Sequence, residues 1–228
     1  MGDELGTILV TGGASGLGAA VVDAVSARGG TPVVMDRVAV DGVDHEIVDL
    51  IDTRAAECTV ERITARHPDL AGVVSCAGTD VPGSLLDVSG VTWDRVVTVN
   101  LLATAAVVRA ALPALIASHG RIVTVASTLG LRVACDATAY CASKFGVVGF
   151  SRALAAELAG RVGVTLLIPG GMATSFFDDR AEQYRPPASA ALSPPERVAD
   201  AVLFALSQPA GVEVRELVVC SATESSWP

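Results

Sequence analysis

Short apolar runs alternate with longer stretches of helical character from one end of the chain to the other. The runs predict seven buried strands, at residues 7–11, 31–35, 46–48, 71–75, 121–126, 163–168 and 216–220. The stretches between them predict helices that end near residues 27, 65, 117, 159 and 206, the third of them interrupted at Pro113. Such alternation is typical of α/β proteins. We therefore expect a single domain, residues 1–228, built on a doubly wound parallel sheet with helices on both faces.

The segment before the last helix is polar, charged and aromatic, and residues 172–191 are predicted to form a loop. Phe176 and Phe177 could form an apolar wall for a substrate, which would make the loop a mobile lid, or they could only anchor the loop on the core. Both interpretations stay open. The motif Ser193-Pro194-Pro195-Glu196 then predicts an N-cap, a first-turn proline and a capping-box glutamate for the last helix.

A glycine-rich loop, Gly12–Gly18, joins the first strand to the first helix. Its glycines at 12, 16 and 18 allow a tight turn, close backbone approach and close helix packing. The N-terminus of the helix offers free N–H groups and a positive dipole end to a pyrophosphate. The order of strand, loop and helix therefore predicts a dinucleotide site.

The second strand runs into Asp36, and a carboxylate about twenty residues past the glycine loop is suited to hold a ribose 2′-hydroxyl. The next residue, Arg37, could instead meet the 2′-phosphate of NADP. Ala14 and Ser15 are not basic, so no second cation is evident for that phosphate. The pattern favours NAD over NADP.

A hydroxyl and a Tyr-Lys pair follow the fifth strand. Ser127 ends that strand, and Tyr140 and Lys144 lie on one face of the next helix. An ammonium near a phenol favours the phenolate, so Lys144 is expected to lower the pKa of Tyr140 and give a base for an alcohol proton near neutral pH. The alternative is that Tyr140 and Lys144 are ordinary surface residues of the helix with no catalytic role. Asn100, in an apolar helix, needs partners if it is buried, and could cap backbone or hold a functional water.

Composition narrows the class of protein. The chain is 51% hydrophobic with a mean hydropathy of +0.52, which suggests extra burial in an oligomer interface. No apolar run of eighteen residues is free of polar breaks, so no membrane helix is predicted. The net charge of −9 argues against nucleic acid as a partner. Five scattered cysteines and no signal-peptide pattern favour the reducing cytoplasm. The three histidines are not at metal-ligand spacing, so no metal site is predicted.

These motifs together resemble the classical short-chain dehydrogenase/reductase (SDR) family over nearly the whole chain. The family's T-G-x-x-x-G-x-G matches Thr11–Gly18, and its P-G-x-x-x-T matches Pro169–Thr174. Its Asn, Ser, Tyr and Lys of the active site match Asn100, Ser127, Tyr140 and Lys144. One departure is Ser75–Gly78, S-C-A-G where the family usually has N-N-A-G. This affects a side-chain contact, whereas the backbone role is expected to survive.

The resemblance implies a Rossmann fold and hydride transfer between a nicotinamide and an alcohol or ketone. Tyr140 would exchange a proton with the substrate oxygen, and Ser127 would hydrogen-bond that oxygen. Lys144 would hold the nicotinamide-ribose hydroxyls, and Asn100 would hold a water in a proton relay. Cofactor contacts are implied at Gly12, Ser15, Gly16, Leu17, Gly18, Asp36, Arg37, Asp49, Leu50, Cys76, Ala77, Gly78, Tyr140, Lys144, Pro169, Gly170, Met172 and Thr174. Substrate contacts are expected at Leu129, Val133, Phe176 and Phe177.

The leading functional hypothesis is an NAD-dependent enzyme that interconverts a small-molecule secondary alcohol and a ketone. An NADPH-dependent ketoreductase acting on 3-oxoacyl thioesters is the alternative enzyme, and a non-catalytic dinucleotide-binding sensor is the alternative outside enzymes. Asp36 and the acidic charge count against the thioester hypothesis. Residues 101–117 and 145–159 are apolar on more than one face, and family members pair these helices, so a homodimer or homotetramer is expected.

Overall fold

The computed structural model describes residues 5–227 and contains one parallel sheet of seven strands. The strands are β1 (Thr7–Thr11), β2 (Thr31–Asp36), β3 (Asp44–Ile47), β4 (Leu70–Ser75), β5 (Arg121–Val125), β6 (Gly163–Pro169) and β7 (Glu216–Val219). Their order across the sheet is β3-β2-β1-β4-β5-β6-β7, and every neighbouring pair is parallel. The predicted doubly wound architecture is therefore confirmed, and the order of the strands reverses between β1 and β4, where such sheets bind ligands.

The helices cover both faces of this sheet. They are α1 (Gly16–Ala27), α2 (Thr53–Arg66), α3 (Gly90–Val97), α4 (Ala103–Ser118), α5 (Thr138–Glu157) and α6 (Pro195–Leu206). Alternate residues of β1 point to opposite faces: Leu9 packs into the core beneath α2, α4 and the end of α5. Ile8 and Val10 pack into the core beneath α1 and α6. This period of two is what a strand buried on both faces requires.

The long helix before β5 is interrupted at a different place from the one predicted. Pro113 lies inside α4, which continues through it to Ser118. The irregularity is instead a π-helical turn, Thr98–Leu102, between α3 and α4, and it contains the buried Asn100. Single π turns within α-helices occur frequently at functional sites. The prediction was wrong because it weighed the missing N–H of proline and not the hydrogen bonds that Asn100 makes.

Two further expectations about helices are corrected. Ser193 does not cap α6: its backbone pairs with Met172 and Gly171, and Pro194 occupies the cap position without a side-chain bond. The helix Gly90–Ser118 contains an 18-residue window with a mean hydropathy of 1.8, so by length and composition it could cross a membrane. Its apolar side packs in the core beneath α2, where Val107 and Leu115 are fully buried. The described structure buries 39% of that window.

Candidate active site

The glycine loop is shaped by close contacts that only glycine permits. Gly12 has a φ of +71°, and a Cβ there would lie 2.8 Å from the Cα of Ala77. A Cβ on Gly18 would overlap the carbonyl oxygen of Gly12. Ser15, just before α1, is exposed and its side chain caps nothing. The loop therefore forms a cradle at the N-terminus of α1 that fits a pyrophosphate group.

Asp36 is held at the end of β2 by backbone N–H groups. Its Oδ2 accepts from the Ala14 amide at 3.0 Å, and its Oδ1 accepts from the amides of Arg37 at 2.6 Å and Val38 at 3.2 Å. The Ala14 bond ties the carboxylate to the glycine loop. The Arg37 side chain is exposed to solvent. A fixed negative charge thus stands beside the cradle, which fits a ribose diol better than a phosphate.

The ends of β3 and β4 line the same edge of the sheet. Asp49 accepts a hydrogen bond from the Ile51 amide at 3.1 Å, and the next residue, Leu50, is buried. The Ala77 amide donates to the side chain of Thr11 at 3.2 Å, which brings the loop after β4 against the glycine loop. Cys76 packs in the core there, and burial raises the pKa of its thiol to about 12. The backbone role expected for Cys76–Gly78 is consistent with this packing.

Ser127 and Tyr140 meet beyond the end of β5. Ser127 starts a 3₁₀ turn, Thr128–Gly130, and its hydroxyl accepts from the Leu129 amide at 3.1 Å. Burial raises the pKa of Tyr140 to about 12, even though a hydrogen bond with Ser127 lowers it. The expectation of a phenol with a pKa near neutral is therefore not met, because desolvation disfavours the phenolate more than its neighbours favour it. Burial thus opposes the lowering of the Tyr140 pKa that was expected from Lys144.

Lys144 lies one helical turn beyond Tyr140 and is buried. Its Nζ donates to the Val125 carbonyl at 2.8 Å and lies 5.6 Å from the centre of the Tyr140 ring. Burial lowers the pKa of Lys144 to about 8, although the charge of Asp80 raises it. An ammonium carries three N–H donors, so further donors remain for a ribose hydroxyl.

Asn100 clamps two parts of the site together. Its Oδ1 accepts from the Thr79 amide at 2.8 Å, and its Nδ2 donates to the Thr79 carbonyl at 3.0 Å and to Ser143 Oγ at 2.9 Å. Ser143 donates in turn to the Tyr140 carbonyl at 2.7 Å. Both N–H groups of the amide are used within the protein, so they are not free for the expected relay water. Ser143 was not among the predicted site residues, although its position three residues after Tyr140 could have revealed it.

The loop after β6 touches the glycine loop and begins the predicted lid. Pro169 ends β6, and the Gly170 amide donates to the Val219 carbonyl at 2.9 Å. Met172 pairs with Ser193 in an isolated bridge. Thr174 lies 3.5 Å from the position that a Cβ on Gly16 would occupy. The predicted lid segment therefore begins beside the glycine loop.

The lid is more ordered than its composition suggested. It contains two 3₁₀ turns, Ser175–Phe177 and Glu182–Tyr184. The centre of the Phe176 ring lies 6.0 Å from that of the Tyr140 ring, so this aromatic side chain is a neighbour of Tyr140. Leu129 is partly buried. Val133, expected at the substrate, is 77% exposed and contributes no buried wall, because it lies in the loop beyond the 3₁₀ turn after Ser127.

An ion pair that the sequence did not predict joins the lid to the loop after β4. Arg180 Nη2 lies 2.8 Å from Asp80 Oδ2, and the two side chains are 14% and 5% exposed. The guanidinium lies 5.0 Å from the centre of the Phe176 ring and 4.6 Å from that of Phe177. The aromatic wall thus encloses a buried charge. No local pattern marks this pair, since its members are 100 residues apart.

The C-terminal segment, for which no element was expected beyond β7, folds back onto the site. Glu224 Oε2 accepts from the Gly171 amide at 2.8 Å, and its Oε1 accepts from Ser226 Oγ at 2.8 Å. Ser226 Oγ lies 2.7 Å from Thr128 Oγ1, beside Ser127. Burial raises the pKa of Glu224, but the hydrogen bonds from Gly171 and Ser226 together lower it by more, so the pKa of Glu224 lies below its usual value. The segment links the loops that follow β5 and β6.

A phosphate cradle, a carboxylate placed for a ribose and a Ser-Tyr-Lys cluster at one edge of a doubly wound sheet define a dinucleotide-dependent oxidoreductase. The family model described as short chain dehydrogenase matches residues 6–185. The chain belongs to this family and has the Rossmann fold expected for it. It is therefore an oxidoreductase that acts on hydroxyl or keto groups and uses a nicotinamide dinucleotide.

Individual relatives agree with the family. The human (3R)-3-hydroxyacyl-CoA dehydrogenase is 33% identical over an alignment that covers 89% of each chain. A metagenomic short-chain oxidoreductase solved with NADP is 26% identical, with a TM-score of 0.80 and coverage of 96% of this chain and 98% of that one. The aldohexose dehydrogenase of Thermoplasma acidophilum has a TM-score of 0.86, covers 96% and 95%, and at 21% identity shares the fold.

Proposed function

We propose that the chain interconverts a secondary alcohol and a ketone by hydride transfer with NAD, and that Tyr140 is the general acid and base. The observation that carries the proposal is the convergence of Ser127, Tyr140 and Lys144 at the end of β5, beside the glycine cradle. A non-catalytic sensor has no need of this cluster, so it is the weaker hypothesis.

The side chains divide the work of the reaction. The nicotinamide, when bound, supplies the hydride transfer. Ser127 donates a hydrogen bond to the substrate oxygen and stabilises charge that develops on it. Tyr140 gives its proton to that oxygen during reduction and takes it during oxidation. Lys144 offers its remaining N–H donors to the ribose hydroxyls, and Asn100 keeps the loop after β4 against α5.

The protonated phenol sets a pH dependence. With a pKa raised to about 12, Tyr140 holds its proton throughout the neutral range and is ready to act as an acid. Ketone reduction is therefore expected to vary little between about pH 6 and 7 and to fall as Lys144, whose pKa is lowered to about 8, loses its proton. Alcohol oxidation should rise with pH where it is limited by formation of the phenolate.

The preference for NAD rests on Asp36. Its carboxylate is fixed by three backbone amides and would repel a 2′-phosphate. The related metagenomic enzyme was solved with NADP, so the preference is a property of these residues and not of the family. The residues that fit the cofactor are those of the cradle, Asp36, the loop after β4, Lys144 and Thr174.

The relative that acts on 3-hydroxyacyl-CoA favours one alternative, reduction of a 3-oxoacyl thioester with NADPH. Asp36 counts against NADPH, and the net charge of −9 counts against a strongly anionic thioester carrier. The deciding experiment measures kcat/KM for small alcohols, small ketones and acetoacetyl-CoA, each with NAD(H) and NADP(H). Faster turnover with NADPH than with NADH would contradict the role given to Asp36.

We also propose a homodimer or homotetramer in the cytoplasm, with one contact through α4 and α5. Leu102 in the π turn is 51% exposed and Phe145 in α5 is 44% exposed. Exposed apolar side chains on paired helices are typical of an interface between copies. Light scattering at micromolar concentration should give a multiple of the chain mass of 23.1 kDa, and a monomeric mass would refute the proposal.

A further inference from the structure

The ion pair between Asp80 and Arg180 lies next to the reacting phenol. Phe176 stacks near both the Arg180 guanidinium and the Tyr140 ring, so it bridges the two. The charge of Asp80 raises the pKa of Tyr140 and the charge of Arg180 lowers it, after the larger effect of burial. Asp80 also acts on Lys144. A substrate whose carbonyl meets Tyr140 therefore comes close to this pair.

Each member of the pair retains an unused polar atom. Asp80 Oδ1 and Arg180 Nε are buried and have no hydrogen-bond partner among the described residues. A buried polar group without a partner is costly, and the cost is larger when the group is charged. Burial raises the pKa of the Asp80 carboxyl, although Arg180 and the Val81 amide lower it. Oδ1 needs a donor and Nε needs an acceptor.

The two requirements together select one kind of chemical group. A hydroxyl can donate to Oδ1 and accept from Nε, and it brings no charge. A carbonyl would satisfy only Arg180, and an alkyl group would satisfy neither. A carboxylate would be repelled by Asp80 and an ammonium by Arg180.

We propose that the substrate carries a second hydroxyl near its reacting carbon, and that this hydroxyl bonds to Asp80 Oδ1 and Arg180 Nε. The substrate class is then diols and the corresponding hydroxyketones. The inference rests on the proposed function, because it concerns the substrate of the same site. Both atoms are buried, so the proposal requires the loop that carries Arg180 to open for the hydroxyl and then to close over the substrate. The substrate pocket would then combine the apolar wall expected from the sequence with one polar contact, at Asp80 and Arg180.

The test uses matched pairs that differ only by the second hydroxyl: 2-butanol against 2,3-butanediol, cyclohexanol against 1,2-cyclohexanediol, and 2-butanone against acetoin. The native protein with NAD(H) should favour the hydroxylated member by about 10–100-fold in kcat/KM, as expected for hydrogen bonds to charged groups. Arg180→Lys keeps a cation for Asp80 but removes Nε, so the ratio of kcat/KM for the hydroxylated member to that for its partner should fall several-fold. Arg185→Lys is the control, since Arg185 lies on the same lid and bonds only to the carbonyls of Arg180 and Asp178.

The outcomes separate the two proposals. Turnover of 2-butanol without a preference for the diol overturns the inference and leaves the proposed function in place. Equal losses for both alcohols in Arg180→Lys show a purely structural ion pair and also overturn it. If no alcohol or ketone is turned over, the proposed function fails. Ligand-observed NMR with NAD present then still compares 1,2-cyclohexanediol with cyclohexanol, and equal or absent binding overturns the inference. Preference for acetoacetyl-CoA over acetoin overturns it in favour of a thioester.

Discussion

The cofactor end and the substrate end of the site are built in different ways. At the cofactor end, backbone groups at strand ends hold one another, as in the bond from the Gly12 amide to the Met35 carbonyl at 2.9 Å. At the substrate end, side chains distant in sequence meet in pairs: Asp80 with Arg180, Asp136 with Tyr184, and Thr128 with Ser226. The geometry of the cofactor end depends on the positions that only glycine can occupy. The geometry of the substrate end depends on contacts between side chains that are distant in sequence.

This difference teaches where each kind of specificity resides. Backbone geometry around the glycine loop is demanding, so few residue types satisfy it and the nucleotide site is read from local sequence. A substrate pocket made of paired side chains can exchange one pair for another without disturbing the sheet. Variants that act on one end and spare the other therefore test the division directly.

The largest effect is expected at Tyr140, where the two ends meet. Tyr140→Phe removes only the hydroxyl that exchanges the proton, so kcat should fall by about 10²–10⁴-fold. NADH affinity, measured by fluorescence titration, should stay close to native because no cradle residue changes. Activity above half the native value would contradict the mechanism. Arg152→Lys is a control on the exposed side of the same helix, since Arg152 pairs with Glu216 and not with the site.

How much could be predicted from sequence follows the same division. The seven strands were predicted with ends within two residues of those observed, the third at 46–48 where the structure has Asp44–Ile47, because they depend on local periodicity. The roles of Asn100, Ser127, Tyr140 and Lys144 were read from residue types and spacing, and they stay predictions. The position of the helix irregularity could not be predicted, because the side-chain amide of Asn100 bonds to Thr79 and Ser143, which lie outside its own helix.

The substrate end was less legible for a physical reason. Arg180 was one of several charges in a loop, and its burial depends on two Phe rings and on Asp80, 100 residues away. The direction of the Tyr140 pKa was wrong for a similar reason. The sequence showed a nearby Lys144 but gave no measure of how far folding removes the phenol from water.

The next effect tests the cofactor end alone. Asp36→Ala removes the carboxylate that the Ala14 amide holds, so the KM for NAD should rise by about 10–100-fold and the preference over NADP should narrow. The ranking of alcohol substrates should stay as in the native protein. The measurement is kcat/KM for one alcohol with each cofactor. Asp41→Ala, in the exposed loop after β2, is the control for loss of a surface charge. If the ratio of kcat/KM with NAD to kcat/KM with NADP stays unchanged in Asp36→Ala, Asp36 does not determine the cofactor preference.

A smaller effect is expected when the aromatic wall is removed. Replacing Phe176 and Phe177 with Ala takes away the rings that flank Arg180 and face Tyr140, so selectivity between substrates should shift by about tenfold. The affinity for NAD should change little, because neither ring belongs to the cradle. Competition between two alcohols of different size in one assay measures the shift directly. If the double variant keeps the native ranking, the rings only anchor the loop on the core.

The smallest effect is expected at Glu224, which joins the two ends through the C-terminal segment. Glu224→Gln keeps an oxygen for the Gly171 amide but offers an N–H where Ser226 needs an acceptor, so the link to Thr128 should loosen. Ser127 directly precedes Thr128, and a small displacement of Ser127 should lower kcat by about 3–10-fold while the KM for NAD stays within twofold. Glu224→Asp should recover less than half of the loss, since its carboxylate is one carbon shorter.

A pH series separates positioning from general stability. The folded pKa of Glu224 lies below its usual value, so its contribution to stability is present above that value and disappears as the pH falls through the folded pKa. Native protein should therefore lose thermal stability in acid more steeply than Glu224→Gln, whereas near neutral pH the variant should differ mainly in kcat. Ser225→Ala, at an exposed neighbouring position, is the control. A variant that unfolds at neutral pH, or one with native kcat, would show that the C-terminal segment does not position the site.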